Sequence, residues 1–181
     1  INNFVAVKED ISERVQSEIT LKQYTSQLET LNTVTAALST SLESDKVLEL
    51  ILAQIGRVIP FNSGSIFLYE EDRLRVVADL GIEPSLIGKN FPGENELFQI
   101  IRETRKPLIV NKIDGDPRFQ NWGMSEKLGS WMGVPLLVRD TLIGVLTLDS
   151  IQAEAYSSAQ ANLALSLAYQ AAQAIENARL Y

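Results

Sequence analysis

Two β-favouring runs near residue 140 stand so close together that they fold back on each other. Gly133-Val134-Pro135-Leu136-Leu137-Val138 and Leu142-Ile143-Gly144-Val145-Leu146-Thr147-Leu148 are separated only by a turn around Arg139-Asp140, the signature of a β-hairpin. Pro135 has no N–H to give to a ladder, so it belongs at a bulge, an edge or a strand start. An earlier hairpin has the same grammar: Ser65-Ile66-Phe67-Leu68-Tyr69, a polar Glu70-Glu71-Asp72 turn, then Leu74-Arg75-Val76-Val77-Ala78. Leu108-Ile109-Val110 reads as a further, buried strand. The frame of the chain is therefore an antiparallel sheet.

Helical segments alternate with these strands. Ser44-Asp45 caps a helix whose Val47, Leu48, Ile51, Ile55, Val58 and Ile59 form one apolar face, with Pro60 after its end. Leu97, Phe98, Ile100 and Ile101 lie on a short helix that stops before Pro107. Gly81, Pro84, Gly88, Pro92 and Gly93 punctuate a loop region, and residues 111–129 are irregular with a turn at Asp114-Gly115-Asp116-Pro117. Residues 151–181 are rich in alanine and carry charge only at Glu154, Glu176 and Arg179, while Leu163, Leu167, Ala171, Ile175 and Ala178 keep helical spacing. A helix so poor in charge does not face water all round. It is expected to lie on the sheet with one side and on a partner helix with the other, with Ala168 and Ile175 in a dimer interface. This order predicts an α+β fold, a central antiparallel sheet layered by helices, with long helices at both ends.

Residues 1–42 have a different character. Asn3-Phe4-Val5-Ala6-Val7-Lys8 resembles a strand end, Asp10 is an N-cap candidate, and Ile11 opens a long stretch without Gly or Pro. From Ser17 a heptad pattern appears: Ser17, Tyr24, Leu31 and Leu38 in one set, Leu21, Leu28, Thr35 and Leu42 in the other. Spacing of this kind suits a two-stranded coiled coil, with Leu21, Leu28, Leu31 and Leu38 at a homodimer interface. An amphipathic helix lying on its own domain is the alternative. The chain opens on Ile1, not methionine, and is read as a segment of a longer protein.

Composition narrows the chemistry. At 181 residues the chain has room for about one domain and an appended segment. A net charge of −7 and a pI near 4.7 argue against a nucleic-acid surface. No apolar run approaches a membrane span. Cysteine and histidine are both absent, which removes disulfides, thiolate nucleophiles, Cys/His zinc sites, Ser–His–Asp triads and phosphohistidine relays. The glycines show neither P-loop nor dinucleotide spacing. Oxygen-ligand metals and carboxylate or lysine chemistry survive these exclusions, which point to a binding or relay module in place of an enzyme, with no covalent cofactor and room for an unidentified small molecule.

The residues suited to such a ligand cluster in the irregular segment. Phe91, Phe119, Trp122, Met124 and Trp131, with Met132, offer flat or polarisable surfaces for a planar molecule, or else fill the core. Arg118 either pairs with an anionic ligand or fixes the loop by bonding Asp114, Asp116 or a carbonyl. Glu94 and Glu96 suit a helix start, and Asp149-Ser150 reads as a strand end entering a turn.

Over roughly residues 30 to 181 the sequence resembles the GAF domain. The resemblance is carried by Ser130-Trp131-Met132-Gly133-Val134-Pro135-Leu136, similar to the family's Ser-x-x-x-Val-Pro-Leu hairpin, with its Ile143-Gly144-Val145-Leu146 return strand. Asp114-x-Asp116-Pro117-Arg118-Phe119 and Ala174-Ile175-Glu176-Asn177-Ala178-Arg179-Leu180-Tyr181 also match. Phe4-Val5-Ala6-Val7-Lys8-Glu9-Asp10-Ile11-Ser12-Glu13-Arg14 is similar to the end of a PAS domain. The resemblance implies a PAS tail at 1–10, a linker helix at 11–42 and a GAF domain at 43–181. The parent it implies is a cytoplasmic bacterial signalling protein of the two-component kind with a histidine kinase output, a cyclic-di-GMP enzyme or phosphatase being the alternative. A small ligand would be enclosed between the sheet and segment 86–130. With no Cys or His, a covalently held bilin is ruled out. Cyclic-nucleotide members resemble an Asn-Lys…Phe…Asp-Glu signature; Asn111-Lys112 and Phe119 fit it, but Gly123-Met124 replace the acidic pair. A ligand-free dimerisation spacer is the alternative to a sensor.

Overall fold

The computed structural model describes residues 44–120, 122 and 127–179. The PAS-like segment, the heptad helix with Leu21, Leu28, Leu31 and Leu38, and Met124 lie outside the described residues. Within them six strands form one sheet, β1 (Ser63–Glu70), β2 (Arg73–Leu80), β3 (Asn90–Pro92), β4 (Leu108–Val110), β5 (Ser130–Val138) and β6 (Thr141–Ser150). The strand order is β3-β2-β1-β6-β5-β4 and each adjacent pair is antiparallel. Three helices accompany them: α1 (Ser44–Val58), α2 (Glu96–Thr104) and α3 (Ser158–Arg179). The α+β architecture expected from the element order is present, and both hairpins fall where the sequence puts them. At the β5–β6 turn, Arg139 (φ 46°) and Asp140 (φ 72°) both have positive φ, the pattern of a type I′ turn that matches strand twist. β4 pairs with β5 only from Trp131 to Gly133, so Pro135 sits where β5 is locally an edge, next to a register shift at Leu136/Leu137.

The sheet is covered on both faces. Strand geometry alternates side chains, so Ile66, Met132, Leu146 and Leu148, all fully buried, share one face. On the helix side, α3 packs against β5, α1 against β2, and the two helices against each other. In α1 the buried face is Val47, Leu48, Ile51, Leu52 and Ile55. Val58, expected on that face, is 44% exposed at the last turn, and Leu52 is buried in its place.

The terminal helix departs further from expectation. Residues 151–157 form turns, and the helix begins at a capping box: Gln160 N–H donates to Ser157 Oγ (3.3 Å) and Ser157 N–H donates back to Gln160 Oε1 (2.9 Å). Its buried stripe is Ala161, Ala164, Ala168, Ala171, Ala172 and Ile175, whereas Leu163 and Tyr169 are 41% and 44% exposed. Alanine lets the helix backbone approach the sheet closely, and the larger side chains turn outward. Ala168 and Ile175 are consequently in the chain's own core, which corrects their assignment to a dimer interface. They have no surface left to offer a second chain.

Replacing Ser157 with Ala removes one half of the capping box. It should cost about 1 kcal/mol and lower the midpoint of thermal unfolding by roughly 2–4 °C in a domain of this size, as followed by circular dichroism.

Candidate functional site

The other face of the sheet carries the candidate site, and strand register builds its floor. Ser63 pairs with Asp149, Ser65 with Thr147 and Phe67 with Val145 across β1 and β6, while Trp131 of β5 stands opposite Asp149. Four short polar side chains thus project into an otherwise apolar layer. Ser63, Ser65, Thr147 and Asp149 are each at most 5% exposed. Ser63 Oγ donates to Asp149 Oδ2 at 3.2 Å, and no basic side chain among the described residues forms an ion pair with Asp149. Desolvation in this setting pushes the Asp149 carboxyl up to about 7, opposed only in part by the Ser63 hydroxyl. The Asp149 charge in turn raises the Tyr156 phenol, already raised by burial. Tyr156 Oη is buried with no hydrogen-bond partner among the described residues.

Aromatic rings close the site from above. Trp122 stacks on Phe91 (centroids 4.4 Å apart, planes at 11°) and on Phe98 (5.4 Å, 17°), and meets Phe67 edge-on at 5.8 Å. Phe98 comes from α2, whose first turn is held by Asn95: its Oδ1 accepts from the N–H of Leu97 (3.0 Å) and of Phe98 (3.4 Å). Trp131 meets Phe98 edge-on at 6.0 Å. Its ring lies across Gly133, two residues along the same strand face, where a Cβ would run into the indole and into Ile101. Between floor and rings remains a cavity of about 40 Å³, lined by Ser65, Thr147, Asp149, Asn95 and Gln120 and by Phe67, Phe98, Phe119, Trp122 and Trp131, with Ile82, Leu86 and Leu97. That holds one or two waters, not a metabolite.

Of the residues singled out in the sequence, Phe119, Trp122 and Trp131 line this cavity, and Phe91 stacks behind Trp122. Arg118 does not take part. Its Nε and Nη2 donate to Asp116 Oδ1 (2.9 Å) and Oδ2 (2.6 Å), and its backbone N–H donates to Oδ1 as well (3.0 Å). The guanidinium holds the Asp116 carboxyl below the usual carboxylate range. Arg118 is thus a loop brace, as one of its two sequence readings has it. Asn111 is likewise structural: its Nδ2 donates to Tyr156 O (3.1 Å) and its Oδ1 accepts from Tyr156 N–H (3.4 Å), which leaves the asparagine of the cyclic-nucleotide signature engaged by the loop. Asp149, Thr147 and Ser65 are absent from the sequence candidates. Their signal is alternation, Thr147 and Asp149 interleaved with Leu146 and Leu148 in a strand buried on both faces, and Asp149-Ser150 reads instead as a turn. Among the described residues no cluster of three or more Asp or Glu is placed to hold a metal ion.

This architecture matches known proteins. The family model for the GAF domain matches residues 41–176, so the chain belongs to the GAF domain family, a sensory and regulatory fold. The chain is similar to a Nif-specific regulatory protein of Azospirillum lipoferum, 29% identical over 143 residues, 74% of this chain and 23% of that one. It is similar also to the anaerobic nitric oxide reductase transcription regulator NorR of Vibrio vulnificus, 24% identical over 126 residues, 65% of this chain and 24% of that one. The chain therefore spans about a quarter of these relatives' length. In fold it resembles the GAF domain of an Acinetobacter phosphoenolpyruvate-protein phosphotransferase, with a TM-score of 0.70, 22% identity, and coverage of 85% of this chain and 95% of that one. No helix of the described residues is long and apolar enough to cross a membrane.

The buried Asp149 makes stability depend on pH in a definite direction. The folded chain keeps its proton up to about pH 7, whereas an unfolded carboxyl releases it near 3.8. Between those values the folded state binds more protons, so this residue's contribution falls as pH rises, by up to about 1.4 kcal/mol per pH unit. Denaturant unfolding of Asp149→Asn beside the wild type should show the variant gaining relative stability from pH 4 to 7 and holding the gain above 7. A constant difference across that window would place the carboxyl outside the buried floor.

Proposed function

We propose that this GAF domain is a sensory module that binds a small molecule non-covalently between the sheet and segment 86–130. Its occupancy is passed through paired helices to an output domain of the same parent chain. The observation that carries this is the cost of the floor. A carboxyl 2% exposed, with the Ser63 hydroxyl as its one side-chain partner among the described residues, destabilises a domain that needs only packing. A spacer would be more stable with Leu or Asn at that position. The Azospirillum and Vibrio relatives are regulators, one of them named a transcription regulator, which favours a transcription-regulating output over the histidine kinase suggested by the chain's resemblances. A PAS tail at 1–10 and a cytoplasmic setting are in keeping with that organisation.

Native mass spectrometry of the purified chain tests the ligand. The wild type is expected to carry a low-mass non-covalent adduct, and Ser65→Leu or Thr147→Leu, which fill the floor, should lose it. The small cavity, about 40 Å³, favours a second reading, a ligand-free spacer, and the absence of any adduct under every growth condition would decide for it.

In both readings the chain dimerises through the heptad stripe. The double variant Leu28→Glu/Leu31→Glu should elute as a monomer in size-exclusion chromatography with light scattering, at concentrations where the wild type is a dimer. A variant that stays dimeric would exclude the stripe as the interface.

A further inference from the structure

We propose that the ligand of this site is an arylalkylamine, a flat ring seated where the Trp122 indole now stacks and a protonated side-chain nitrogen directed to Asp149. This rests on the ligand-binding function proposed above and adds the chemical class. Two independent features carry it.

The first is the shape of the slot. Phe91 and Phe98 both lie nearly parallel to the Trp122 indole, at 11° and 17°, and Phe67 presents an edge to it. Such an arrangement recognises a flat ring by its faces and periphery. The chain's own indole shows what size and shape of ring the slot accepts, because it fills the slot and leaves only about 40 Å³ beside it. Its Nε1–H reaches Gln120 Oε1 at 3.2 Å, away from the floor, so the floor's polar groups are not satisfied by Trp122.

The second is the charge character of the lining. Among the described residues it contains one acid, Asp149, and no Lys or Arg. The two cations nearest in sequence to the aromatic segment are engaged elsewhere: Arg118 is bound at two points to Asp116, and the exposed Lys127 pairs with Asp114 at 3.3 Å. An oxo-acid or a phosphate would meet an acid with no cation to receive it, which is costly in a desolvated site. A donor nitrogen meets the opposite situation. Asp149 has one oxygen engaged by Ser63 and stands beside Thr147 and Ser65 on the same floor, so a protonated amine converts an expensive buried carboxyl into a paired one. Asn95 Oδ1 is occupied by the α2 cap, which leaves Asp149 as the one charged acceptor in the lining, beside the neutral oxygens of Ser65, Thr147 and Gln120.

The test compares three probes of one ring, tryptamine, indole and indole-3-acetate, by isothermal titration calorimetry against the full chain. Trp122→Ala frees the slot and should bind tryptamine at least tenfold more tightly than the wild type, and at least tenfold more tightly than indole-3-acetate. In the Trp122→Ala/Asp149→Asn background that preference should fall below threefold, with indole binding unchanged. If Trp122→Ala does not give a cooperative melt, Trp122→Leu, which retains apolar contact and loses the flat face, should show the same ranking. Equal or tighter binding of indole-3-acetate, or a preference that survives Asp149→Asn, overturns the arylalkylamine class while leaving a ring-binding site in place. Failure of a folded Trp122→Ala or Trp122→Leu protein to bind any of the three overturns both the class and the ligand site it rests on.

Discussion

The pairing register of β1 with β6 is the constraint on which the rest of this domain depends. It sets Ser63 against Asp149, Ser65 against Thr147 and Phe67 against Val145, and so decides that polar and aromatic groups face α2, Phe119 and Trp122 while Ile66, Leu146 and Leu148 face the other two helices. A slip of one residue would exchange the two faces. It would put the carboxyl of Asp149 under the alanine stripe of α3 and Leu148 into the aromatic layer. Gly144 helps to hold the register: a Cβ there would collide with the carbonyl oxygen of Phe67, so the two central strands meet this closely only with glycine at that point. The irregularity at Ile66/Phe67 then adjusts β2, so that Val76 lies beside Phe67 and Leu74 beside Tyr69.

The two faces differ in what their packing achieves. On the helix side, alanines bring α3 close while α1 packs its valine, leucines and isoleucines, and nearly every buried group is hydrocarbon, which favours stability. On the site side, the same sheet carries a buried carboxyl, a Tyr69 phenol with no hydrogen-bond partner among the described residues, and a glycine kept bare so that Trp131 can lie flat across it. Tyr69 shows how finely the balance is set: burial raises its phenol, while Arg102, whose guanidinium stands 5.5 Å from the ring centre, works in the opposite direction. Local choices that disagree with maximal stability, gathered on one face, mark a surface shaped for something other than holding the fold.

Much of this was legible in the chain itself, for physical reasons that also explain what was not. Hairpins announce themselves because turn chemistry and β-favouring residues are local, so β1–β2 and β5–β6 are read correctly to within a few residues. β3, Asn90–Pro92, is three residues ending in proline within a glycine-punctuated loop, and only its pairing with Arg73–Arg75 makes it a strand. The start of α3 is written in Ser157 and Gln160, yet the alanines before it extend the helical appearance back to 151. Leu163 looks like core by hydropathy, but a helix that must approach a sheet closely buries its alanines and turns its leucine out. Asp149 is the most informative miss. An aspartate beside serine at a strand end reads as a turn, and only the cross-strand neighbours Ser63 and Trp131 reveal a carboxyl in the interior.

The same register bears on how occupancy of the site would reach the helices. Trp131 and Met132 are consecutive residues of β5, one in the aromatic layer and the other fully buried on the face packed by α1 and α3. The two layers are therefore separated by the thickness of a single strand. Side chains as small as those of Ala164, Ala168 and Ala171 give α3 little slack to absorb a displacement of β5, since close-packed groups repack or move together. A molecule that binds equally well to both positions of the sheet would shift nothing, however tight its binding. Coupling requires that the floor fit it better in one position than in the other, and Asp149 is the group best placed to supply that difference. Its desolvation penalty exists only while the carboxyl is buried and unpaired, so any movement that pairs it with a donor lowers the free energy of one arrangement of β6 relative to the other. Because β6 is hydrogen-bonded along most of β5, that preference reaches the strand on which α3 rests.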